Sequence, residues 1–220
     1  MYIRSSFLDK CERKYGKYAI HQLVQIVTGA MVLLWILDFA LSPRLPLGLF
    51  ERLCFNREAI FAGEIWRVFT FLFLPDWSNL LWLIIGCYFN FLIGGTLEAD
   101  WGAFGLNLYF FLGSLFNIAA GFLTGFATNQ YLMLSLFLAF AVMNPEFEIN
   151  LFFFIPVKVK YIAFFDLAMI LYDLIILPWQ FKVMIGVSFL HFAIFMARPL
   201  AEEGKSLWRR FDWWRKTHRK

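Results

Sequence analysis

The chain has 220 residues, of which 61% are apolar or aromatic and only 16% charged; a soluble domain sits near about 45–50% and about 25%. Its 29 Phe and 9 Trp exceed what a water-soluble globule of this size hides, which excludes a soluble enzyme and a disordered chain. The net charge of +4 and pI of about 9.0 then belong to the tails and loops of an integral membrane protein, and no nucleic-acid partner is expected.

In chain order, residues 1–19 read as a cytoplasmic amphipathic tail. Ser6 and Asp9 have capping-box spacing, and Phe7, Cys11 and Tyr15 share a face. Residues 20–41 form a first apolar span without a small-residue cleavage site, the pattern of an uncleaved signal anchor. The first loop, 42–78, is too apolar to float free and too broken by proline and charge to span. Short helices lying in the membrane interface are its expected form, with Trp66, Arg67 and Trp77 suited to that depth. Five more spans follow at 79–97, 104–126, 129–143, 159–177 and 179–197, and none of the seven prolines falls inside a span. A basic tail at 199–220 carries Leu207, Trp208, Phe211 and Trp214 and suits an anionic leaflet. The expected fold class is thus an all-α polytopic membrane protein with six transmembrane helices.

Fifteen of the twenty Lys and Arg fall in the N-terminal tail, at Lys158 and Lys160, or beyond Ala197, placing both termini in the cytoplasm by the positive-inside rule. The three cysteines, Cys11, Cys54 and Cys87, have no disulfide or zinc spacing, and no metal or cofactor is expected. In the third span Gly113, Asn117, Gly121 and Gly125 recur every four residues, a stripe for close helix packing. Asn79 with Asn90, and Asn107 with Asn117, read as bundle-facing hydrogen-bonding groups. The fourth span has 15 residues before Asn144 and Pro145, about 22 Å of helix against a hydrocarbon core of about 30 Å, so thinned lipid is expected around it.

Three stretches, Gly63-Glu64-Ile65-Trp66-Arg67, the residues from Gly94 to Gly102, and those from Leu151 through Pro156 to Lys160, resemble the rhomboid family of intramembrane proteases and their inactive relatives. Gly63-Glu64-Ile65-Trp66-Arg67 is similar to the Trp-Arg segment of the rhomboid first loop. Gly94-Gly95-Thr96-Leu97-Glu98-Ala99-Asp100-Trp101-Gly102 is similar to the Gly-Gly-x-x-Glu turn after the second helix, and the stretch through Pro156 to the junction of the fourth and fifth. The resemblance covers most of 20–198 and implies a rhomboid-like bundle (domain 20–198, first loop 42–78). It also implies a Ser nucleophile at the start of the fourth helix, where Gln130 stands here, and oxyanion donors in the second, where Trp82 and Gly86 stand. His191 lies near the base position without the glycines that frame it in the family. A carboxamide cannot form an acyl-enzyme, so the resemblance is to a catalytically inactive member. The roles it implies are binding of transmembrane clients through a lateral opening, local thinning of the bilayer, and membrane-protein quality control or assembly, with a membrane protease or translocon as partner. A bacterial plasma membrane is the expected location.

Asp166 and Asp173 sit seven apart in the fifth span and point the same way. A carboxylate in hydrocarbon needs a partner; Lys160 is expected near Asp166, Lys182 near Asp173, and His191 beside either. Two alternatives stand beside the inactive-relative reading. One is an active peptidase using Ser135 or Ser188 with His191; the other is a small transporter using Asp166 and Asp173.

Overall fold

The structure, a computed structural model, describes residues 12–41, 48–75, 79–151 and 155–197. Ser6, Phe7, Asp9, Cys11, Trp77 and the tail at 199–220 lie outside the described residues. Helix α1 runs Leu23–Leu41. It starts three residues later than expected, after a break at Gln22, whose φ of 56° is left-handed. Glu98 holds that break, accepting from the Gln22 backbone N–H at 2.8 Å and contacting His21 Nδ1 at 3.3 Å.

The first loop forms α2 (Leu49–Leu53), α3 (Arg57–Phe61), α4 (Arg67–Thr70) and a 3₁₀ turn, Phe71–Phe73. It is tied down on both sides. The Asp38 carboxylate of α1 accepts from the Leu49 and Phe50 N–H groups at the start of α2. Arg57 donates to the Phe122 carbonyl, and Phe55 packs edge-on against Phe71 and Phe122. Phe61, Ile65, Trp66 and Phe69 remain exposed on the outside of the loop, the apolar face an interfacial loop requires.

Helix α5, Leu80–Thr124, is one 45-residue element broken by non-helical backbone at Gly102 (φ 76°, ψ 160°). This corrects two expectations. Gly94 and Gly95 lie inside the first arm (80–101), not in a turn, and the chain reverses at Gly102, where only glycine takes this backbone without strain. Gly94 instead admits α1: a Cβ there would lie 2.7 Å from Val24 Cβ. The second arm (103–124) ends on Gly125, whose φ of 96° makes it the left-handed cap and removes it from the packing stripe. Asn79 is likewise no bundle contact; its side chain caps α5 by accepting from Trp82 N–H.

Helix α6, Gln130–Met143, is the centre of the fold. Tyr131, Leu132, Leu136, Phe137, Ala139 and Phe140 are all buried. A helix apolar on every side packs on every side. It leads into an antiparallel hairpin, β1 (Glu148–Leu151) and β2 (Ile155–Lys158), with Asn150 opposite Pro156. The hairpin departs from an all-α expectation, and Pro156 is accommodated because β2 is an edge strand. Helix α7 follows at Val159–Ile176 and α8 at Trp179–Ala197. The chain is therefore an almost wholly helical membrane protein. Among the described residues three segments, Glu12–Leu41, Leu80–Thr124 and Trp179–Ala197, are long and apolar enough to cross a bilayer, and many large apolar side chains on their outsides are exposed.

Candidate functional site

A cavity of about 530 Å³ opens between the first arm of α5, the start of α6 and the inner side of α7. Its walls are mainly apolar, from Met31, Ile93, Phe137 and Met169, but five polar side chains face it: Asn90, Asn129, Gln130, Asp166 and Asp173. Gly86 lines it as well, whereas Trp82, one turn earlier on the same arm, is 53% exposed and is not among the lining residues. The structure thus gathers five of the residues singled out from sequence (Gly86, Asn90, Gln130, Asp166 and Asp173) and adds Asn129. Nothing in the hydropathy marked Asn129, because its polar role depends on the loop that reaches it. Its Nδ2 donates to the Leu72 carbonyl, and its Oδ1 meets no partner although the residue is only 3% exposed.

Neither carboxylate has the partner expected for it. Lys160 pairs with Glu146 outside the bundle at 2.5 Å, in company with Lys158 at 2.7 Å. Lys182 donates to the Ile175 carbonyl instead of reaching Asp173. The reason lies in the hairpin, which carries Glu146 under both lysines before α7 begins. Those two lysines pull the Glu146 carboxyl down to about 2 by hydrogen bonding, and Glu146 in turn raises the Lys158 ammonium. Asp166 and Asp173 make no hydrogen bond or ion pair with any described residue and face the cavity alone.

His191 lies elsewhere, 1% exposed and enclosed by Tyr109, Phe116 and Phe195. Neither ring nitrogen has a side-chain hydrogen-bond partner among the described residues. Tyr109 stands between it and α6: the Tyr109 hydroxyl donates to Ser135 Oγ at 3.0 Å, and Ser135 donates to the Leu132 carbonyl. Ser188 donates to Asn117 Oδ1. Both serine hydroxyls are therefore committed away from His191, and no hydroxyl–imidazole pair forms among the described residues. Gly113 makes this contact possible, since a Cβ there would fall 2.8 Å from His191 Cε1 and closer still to Leu132.

The loop residues act structurally. Buried Arg67 donates from Nη1 to the Glu51 and Cys54 carbonyls and from Nε to Glu64, while Trp66 Nε1 donates to the Arg52 carbonyl. Asn107 is buried and grips the Ile20 backbone at both N–H and carbonyl, a hydrogen-bonding contact between two elements. Among the described residues no three His, Cys, Asp or Glu side chains converge to hold a metal ion. No family model, no curated protein and no solved structure matches the chain.

Proposed function

We propose that this chain is a catalytically inactive, rhomboid-like protein of six membrane helices that receives transmembrane segments of client proteins in the cavity beside α7. The observation that carries the reading is the cavity itself. It opens beside the start of α6, where a rhomboid nucleophile would stand, and the side chain there is Gln130. The hydroxyls of Ser135 and Ser188 are spent on Tyr109, Leu132 and Asn117, which supports binding without peptide cleavage.

Local thinning of the bilayer accompanies this role. Helix α6 has 14 residues, about 21 Å, against a hydrocarbon core of about 30 Å, and the exposed apolar loop residues suit half-depth insertion. A polar or marginally stable client segment is better tolerated in such a zone than in ordinary bilayer. Both termini face the cytoplasm of a bacterial plasma membrane, and the service is quality control or assembly, in company with a membrane protease or translocon.

Two measurements test the reading. A photo-reactive residue at position 90 or 169, in cells, is expected to capture membrane proteins, whereas one at 33, on the outer face of α1, is not. A fluorophosphonate probe is expected to leave the purified protein unlabelled. Labelling that vanishes in Ser135→Ala or Ser188→Ala would overturn the inactive reading.

A further inference from the structure

The cavity carries an unbalanced charge. Asp166 and Asp173 both line it, and no Lys, Arg or His is among the residues that do. The carboxylates lie seven residues apart, about 10 Å along α7, and Asp166 is seven residues into an 18-residue helix, well away from either end. A third acceptor joins them: Asn129 is almost fully buried, its amide nitrogen is committed to Leu72, and its Oδ1 is left over. A carboxylate at membrane depth without a partner is costly, and the cost is relieved when a cation arrives.

We infer that this site selects membrane-spanning client segments carrying a basic side chain, Lys or Arg, near the middle of the helix; the inference rests on the client-binding reading above. The rest of the lining says what must carry the cation. Ile162, Phe165, Met169 and Ile170 surround the two carboxylates with apolar surface, which a hydrated ion or a small amine would leave uncovered. An apolar helix with one buried ammonium or guanidinium covers that surface and brings the cation to Asp166 or Asp173 in the same cavity that Asn129 lines. Such a segment is also the one that ordinary bilayer tolerates least.

The test uses the full chain in lipid nanodiscs and synthetic Leu/Ala transmembrane helices with a diazirine beside a central Lys, Leu, Gln or Glu. The Lys helix is expected to crosslink about tenfold more than the Leu helix, an advantage of the size an interhelical polar contact supplies. In Asp166→Asn/Asp173→Asn the two helices become equal and the Leu signal is unchanged, whereas Asp166→Glu keeps the preference. Equal capture of Lys and Leu helices by the wild-type protein, which needs no variant to fold, overturns the charge selection and leaves client binding standing. A preference that survives the double Asn variant also overturns it. Capture of no helix removes both readings.

Discussion

Helices α6 and α7 are neighbours of similar apolar character, and the fold treats them oppositely. Nine residues of α6 are buried, whereas α7 buries only Val159 and Ile170. Along α7, Phe164, Leu171, Ile175 and Ile176 face outward, Ile175 at 77% exposure. The central helix is held by packing on every side; its neighbour is held at the hairpin root, where Val159 donates to the Phe147 carbonyl, and by one inward row. A helix with so few inward contacts can move aside at small cost. That contrast places the cavity, and its two carboxylates, on the looser of the two.

Substitutions separate the two helices most widely at their apolar positions. Leu132→Ala in α6 is expected to cost about 3 kcal/mol, because the cavity left inside a close-packed centre cannot collapse. Ile175→Ala in α7 is expected to stay within about 0.5 kcal/mol. Reversible unfolding in mixed micelles measures both, and equal losses would break the contrast. Next in size is Gly113→Ala, expected to lose about 2 kcal/mol by forcing Leu132 and His191 off the second arm of α5. Paired with Leu132→Ala it should cost less than the two losses added, since the second change vacates the space the first one needs. Tyr109→Phe follows at about 1 kcal/mol, the net worth of its hydroxyl bond to Ser135.

The smallest effect concerns the hairpin that roots α7. Glu146 has its carboxyl lowered from 4.5 to about 2 by Lys158 and Lys160. A depressed carboxylate adds stability that is fully present above its unfolded value and disappears as pH falls from about 4.5 through about 2. Melting temperatures measured across that window should fall less steeply in Glu146→Gln than in the wild type. High salt should shrink the difference, because the pair is exposed and screened. A wild-type slope matched by the variant would remove Glu146 from the account.

Much of this architecture was legible in advance where it depends on local chemistry. Proline positions marked the ends of the helices, and the mixed apolar and charged character of 42–78 marked short helices instead of a span. Gly113 and Gly121 were recognisable as close-packing positions, and both are: Gly113 meets His191 and Leu132, and Gly121 meets Phe55. The misreadings share one origin. Gly94-Gly95 looked like a turn, yet α1 packs on Gly94 while Gly102 makes the reversal. Lys160 looked like the partner of Asp166 by proximity in sequence, yet the hairpin of β1 and β2 gave it to Glu146. In both cases the deciding contact came from outside the stretch on which the reading was based, Val24 for Gly94 and Glu146 for Lys160.

Composition and hydropathy alone determined that this chain suits a membrane, which stretches form its apolar helices, and that the segment after the first of them carries an apolar outer face. Only the tertiary structure decided that α6 is central and α7 peripheral, that His191 sits among aromatic rings, and that Asp166, Asp173 and Asn129 line one cavity. The physical reason is that lipid tails and protein interiors are equally apolar. Transfer from water selects residues for both alike, and the choice between a lipid neighbour and a protein neighbour is made by shape and hydrogen bonding between distant segments.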